Sequence, residues 1–185
     1  EPGEDTREGV GKRVGLGGKR EAPPPKEAPS GCPTIAILDG TASSRVMAAG
    51  AASGNQGVRY QFSLGSVGRQ CSISGGNVLI RVAANGRVLL GPAGSAGRFD
   101  VPIRVGVFSE GQQKPVTSKL YKVGSSVPAG QIGAPFQFVS DTIAVPTSGN
   151  ASVEYSIKVG LDSGKSGAEV AGARKSRRKT RSAAA

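Results

Sequence analysis

At 185 residues the chain is long enough for one domain with a sizeable core and has residues to spare for tails. With 29 Gly, 12 Pro and only 4% aromatic residues, it reads as many short segments broken by turns, an all-β protein rather than a helical one. The absence of His excludes Ser-His-Asp and Cys-His catalysis and removes the commonest metal ligand, and a net charge of +11 raises the question of an anionic partner.

That charge is unevenly spread. Residues 1–30 carry six acidic and six basic side chains, and residues 31–163 carry six and eleven. Residues 164–185 carry one and seven, so the C-terminal end is the most electropositive part.

In chain order, residues 1–31 read as a disordered Pro/Gly-rich linker, nearly free of large apolar side chains and stiffened by Pro23-Pro24-Pro25. The chain starts at Glu1 rather than Met, and the expectation is that a start or a processed segment lies upstream. No apolar run approaches the roughly 20 residues of a membrane span, and no signal-peptide core is visible. Cys32 follows the small residues Ser30-Gly31, as acylated cysteines do. The stretch before it, Ala22 to Pro29, is not Leu-rich, so lipidation at Cys32 is rejected while lipidation upstream of Glu1 stays open.

The folded domain is placed at residues 32–160. Thr34–Leu38 makes a first strand, stopped by Asp39-Gly40, and Arg45–Ala48 suits a short edge piece before a loop at Ala49–Gly57. Val58, Tyr60, Phe62 and Leu64 alternate cleanly, and Arg69–Ser74 continues that strand past a break at Gly65/Gly68. Asn77–Ala84 and Arg87–Leu90 flank Asn85-Gly86, which reads as a type I′ hairpin turn.

After the Gly-rich loop at residues 91–97 comes the strongest pattern in the chain. From Arg98 to Ser109, Phe99, Val101, Ile103, Val105 and Val107 alternate with Asp100, Pro102, Arg104 and Gly106. That is a strand with one face in a core, and Pro102 calls for a sheet edge or a bulge. Val116–Val123 follows as a strand, then a loop over Gly124–Pro135, then a segment with Phe136, Phe138, Ile143 and Val145, and a turn at Pro146–Asn150. Val153, Tyr155, Ile157 and Val159 alternate on the last strand. Seven to eight strands in about 130 residues suit an immunoglobulin-like antiparallel β-sandwich, with an open barrel as the competing topology.

Cys32 and Cys71 each border a predicted strand. In an oxidising compartment they would close a loop of about 40 residues, worth about 4 kcal/mol in the chain-entropy model. Two separate buried thiols are the alternative, and a zinc site would need more Cys or His than the chain has.

No catalytic, cofactor or metal site emerges from the sequence, and an enzyme is not expected. The six acidic residues of the domain are scattered singly. The stretch Gly160 to Ser166 resembles a phosphate-binding loop but has three residues between its glycines where four are needed, and it leads into the tail. Gly9–Gly18 lacks the preceding strand that a dinucleotide fingerprint requires.

The tail, residues 161–185, reads as basic and disordered. Arg174, Lys175, Arg177, Arg178, Lys179 and Arg181 suit phosphates, anionic lipid headgroups or an acidic protein face, with a solvated, solubilising tail as the bland alternative. Sequence-specific nucleic-acid recognition is disfavoured, because no folded reading element accompanies the cluster.

Four pieces in order carry a resemblance: Cys32-Pro33 leading into Thr34–Leu38, then Val58–Phe62, then Cys71, then Phe99–Val107 with the Lys-bearing Lys119–Val123 behind it. Together they resemble a family of small, mostly uncharacterised envelope lipoproteins of Gram-negative bacteria. The resemblance covers roughly residues 32–160 and contains no catalytic motif; the tail is not part of it. It implies a periplasm-facing domain at the outer membrane, peripheral or lipid-anchored through a segment outside this chain. Such a domain would bind or scaffold partner proteins, for example as an accessory subunit of an envelope assembly such as the machinery that inserts β-barrel proteins. No small-molecule substrate is inferred. The expectation from a different class is a basic adaptor that binds nucleic acid or another anionic polymer through the tail.

Overall fold

The computed structural model describes residues 31–51 and 53–163. Within them nine strands run in chain order: β1 (Thr34–Ile37), β2 (Ser43–Met47), β3 (Val58–Ser74), β4 (Asn77–Leu90), β5 (Gly97–Ser109), β6 (Pro115–Val127), β7 (Gly133–Val139), β8 (Ile143–Pro146) and β9 (Tyr155–Leu161). Helix is confined to a 3-10 turn at Asn55–Gly57 and one turn, α1 (Ala151–Glu154). The protein is all-β, in two sheets. One is four-stranded in the order β1-β9-β5-β6; the other is five-stranded, β2-β3-β4-β7 with β8 also on β4, and one of the two curls as a half-barrel.

β5 lies at the heart of the smaller sheet, between β9 and β6. Its alternation buries Val101, Ile103, Val105 and Val107, which meet Val78, Ile80, Val82 and Val88 of β4 and Ile157 and Val159 of β9 in one continuous core. Pro102 sits in this central strand, not at a sheet edge. Its carbonyl accepts from Asp162 N at 2.9 Å, just past the end of β9, so its nitrogen faces the place where the neighbouring strand has stopped. A missing N–H is harmless there.

Several sequence expectations are corrected. Asn85-Gly86 is not a turn: β4 runs unbroken through it, and neither residue has a positive φ, which a type I′ turn requires of both. Gly86 is there for closeness, because a Cβ would overlap the Ser63 carbonyl oxygen of β3 and the Phe136 ring of β7. Asn85 braces the bulge in β3 between Leu64 and Val67: its Oδ1 accepts from Ser66 N at 3.0 Å and its Nδ2 donates to Ser66 Oγ at 2.7 Å.

The supposed loop at Gly124–Pro135 is largely strand, since β6 continues to Val127 and β7 begins at Gly133. Val153 belongs to α1 and is 63% exposed, so the last strand starts only at Tyr155. The strand pairing is not wholly antiparallel either, because β1 pairs with β9 in parallel. The chain after β1 then crosses the end of β9, where Leu161 N donates to Thr41 O at 3.0 Å. β9 and the buried Asp162 carry the fold past the boundary expected at Gly160.

Candidate functional surface

β1 and β6 are the two edges of the smaller sheet, and each is fastened to the larger sheet by its own device. At the β1 edge, Cys32 just before the strand is bonded to Cys71 on β3, with the Cα atoms 6.0 Å apart. The disulfide is therefore a clamp between sheets, consistent with an oxidising compartment. At the β6 edge, Lys119 and Tyr121 reach Asp141, which lies between β7 and β8.

Ser140 sets that second device in place. β7 ends and β8 begins here, so β4 needs another partner at Val82. Val82 N donates to Ser140 Oγ at 2.9 Å and Ser140 N donates to Val82 O at 2.8 Å. The hydroxyl in turn donates to Asp141 O at 2.7 Å, which fixes the neighbouring carboxylate. Tyr121 Oη donates to Asp141 Oδ1 at 2.5 Å, and Lys119 Nζ lies 2.9 Å from Oδ2.

Burial, reinforced by the hydrogen bond to the carboxylate, pushes the Tyr121 phenol up, and the bonds from Tyr121 and Lys119 hold Asp141 below the usual carboxylate range. Both shifts favour the bonded forms, a phenol that donates and a carboxylate that accepts. The trio braces the β6 edge against the segment between β7 and β8. Among the described residues no three His, Cys, Asp or Glu side chains gather at one point.

With its edges fastened, the pair of sheets presents two outer faces. On the smaller sheet, Arg104 is tied to Asp162, its Nε 2.8 Å from Oδ2, and its Nη1 donates to Ser118 Oγ at 3.2 Å. On the larger sheet, the five strands carry five arginines and no Asp, Glu or Lys. Three of them, Arg45, Arg81 and Arg87, alternate with core residues and so point outward. Arg45 Nε donates to Gln61 Oε1 at 2.9 Å, which steadies the exposed side chain.

The other two arginines are placed differently. Arg59 is the extra residue of a bulge opposite Val46/Met47, with its guanidinium carbon 5.8 Å from the Tyr60 ring centroid. Arg69 alternates inward opposite Val82, and its Nε is buried with no hydrogen-bond partner.

Of the expected site residues, Cys32 and Cys71 are brought together; Arg174, Lys175, Arg177, Arg178, Lys179 and Arg181 lie outside the described residues. The arginine face was missed. Its signal, Arg81 and Arg87 at even spacing on one strand, is visible only once Asn85-Gly86 is read as strand rather than turn. Comparison with known proteins gives no match to a family model, a curated protein or a solved structure.

Proposed function

We propose that the chain is a non-enzymatic cell-envelope protein whose β-sandwich, immunoglobulin-like in layout, binds or scaffolds partner proteins at the outer membrane from the periplasmic side. The observation that carries this reading is the Cys32–Cys71 clamp between the sheets, a bond that persists where thiols are not kept reduced. A rigid two-sheet domain with both edges fastened suits a docking scaffold, since its outer faces hold their shape without a partner. The chain has no His, and the acid–base character of Tyr121 and Asp141 is set away from neutrality, which favours binding over turnover.

The test is the thiol state and location of the protein in its own cells. Alkylation before lysis is expected to find both cysteines oxidised and the protein in the envelope fraction, and affinity purification in mild detergent is expected to recover envelope proteins. Two free thiols in a soluble cytosolic fraction would overturn the reading. Cys71→Ala is expected to lower stability by about 4 kcal/mol, from the loop of 39 residues it opens. The alternative, a basic adaptor for nucleic acid or another anionic polymer, rests on the Lys/Arg cluster at residues 174–181. It predicts recovery with that polymer, without any need for oxidation.

A further inference from the structure

We propose that the outer face of the five-stranded sheet is a membrane-docking surface for anionic phospholipid headgroups, with Arg45, Arg81 and Arg87 as the phosphate-binding side chains. The inference rests on the envelope reading above and names the surface that reading leaves open. Three observations carry it.

The first is the sign and purity of the charge. None of the five strands holds a carboxylate, so nothing in the sheet competes with an external anion for these guanidiniums. The carboxylates that are engaged serve elsewhere: Asp162 with Arg104, Asp141 with Lys119 and Tyr121, and Glu154 with Ser148. Unopposed arginines are also the residue type suited to phosphate, by virtue of the planar fork of donors.

The second is spacing. Arg81 and Arg87 are six residues apart on one strand, about 20 Å at roughly 3.3 Å per residue, and Arg45 lies two strands from Arg87, roughly 10 Å across the sheet. No small anion spans those gaps. A plane of separate phosphates does.

The third is what lies between the arginines. Leu89 is 36% exposed and Val139 is 60% exposed, both on this same face by register and alternation. Apolar side chains among cations on one face match the headgroup boundary, where guanidiniums meet phosphates and methyl groups sink slightly deeper. A hydrated acidic polymer would gain nothing from them.

The test uses the full-length oxidised chain and vesicles of phosphatidylglycerol mixed with phosphatidylcholine, against phosphatidylcholine alone. Two full-length variants are compared with the wild type: one with Arg45→Gln, Arg81→Gln and Arg87→Gln, the other with the six basic residues at 174–181 changed to Gln. Co-sedimentation with the anionic vesicles is expected to fall about a hundredfold in the sheet variant, about fivefold per arginine, with an unchanged melting temperature and with loss in high salt. Wild-type binding by the sheet variant, or a loss confined to the tail variant, would overturn the proposal. So would a sheet variant that keeps its vesicle affinity but loses affinity for polyglutamate, because the face would then be a site for acidic protein. Purified protein reports on this surface whatever its cellular location, so failure here and failure of the envelope reading are separately visible.

Discussion

The two sheets are built from the same kind of strand yet differ in how their charges are used. The smaller sheet carries five cations on its strands and ties two of them down, Arg104 to Asp162 and Lys119 to Asp141. The larger sheet has arginines and no acidic residue on any strand. Paired charges hold a protein to itself, whereas unpaired ones are left to meet something else. The sheets also differ in what shapes them. β5 is placed by plain alternation and burial, whereas β3 and β4 depend on a bulge, an Asn brace and a Gly at a close approach.

Ile103→Ala tests the first of these principles and carries the largest expected effect. Ile103 is fully buried at the centre of β5, and truncation is expected to cost about 2–5 kcal/mol in urea or thermal unfolding. Arg104→Ala, one residue along and facing outward, is expected to cost about 1 kcal/mol. Its guanidinium is partly exposed, yet it supports the buried Asp162 carboxylate. Equal losses at the two positions would mean that the two faces of β5 are not distinct.

Gly86→Ala and Asn85→Gly test the second. An added methyl at position 86 meets a backbone oxygen and an aromatic ring, and a cost of about 3 kcal/mol is expected, the upper part of the overpacking range. Asn85→Gly removes both bonds to Ser66 and places a flexible residue inside a strand, for an expected loss of about 1 kcal/mol. In a type I′ turn that second change would be neutral. A neutral result would therefore return the pair to a hairpin tip and split β4 in two.

The same contrast explains what was legible beforehand. β5 and the first half of β3 follow from alternation, because burial repeats every second residue whatever the distant contacts are, whereas the cysteine pair was suggested only by its places beside two predicted strands. The continuity of β4 was not legible, since Asn-Gly has the same appearance whether it turns the chain or admits a neighbouring backbone. The end of β6 was hidden by Gly124-Ser125-Ser126, small polar residues of which Ser125 nonetheless donates to Pro135 O at 3.2 Å. The parallel pairing of β1 with β9 joins the two ends of the fold, and no local pattern encodes it. Even the charge pointed elsewhere: a dense run at 174–181 stands out in a sequence, while arginines six residues apart on one sheet face do not.

The smallest expected effect concerns the brace at the β6 edge, where pH separates a charge pair from simple packing. Asp141 titrates below its ordinary value in the folded protein, through its bonds from Tyr121 and Lys119. Its contribution is present above about pH 4, the unfolded carboxylate value, and is lost as the pH falls through the lower folded value. Tyr121, shifted upward by burial and by Asp141, behaves in the opposite sense: its contribution is complete below about pH 10 and is lost above it. Asp141→Asn keeps an acceptor for the phenol but removes the charge facing Lys119. Urea midpoints of wild type and variant are therefore expected to differ by a constant small amount between about pH 5 and pH 9 and to converge toward pH 2. A gap that persists undiminished at pH 2 would show that the Asp141 side chain acts there by shape, and that this edge is held by packing of Tyr121 against Phe138, whose ring centroids lie 4.7 Å apart.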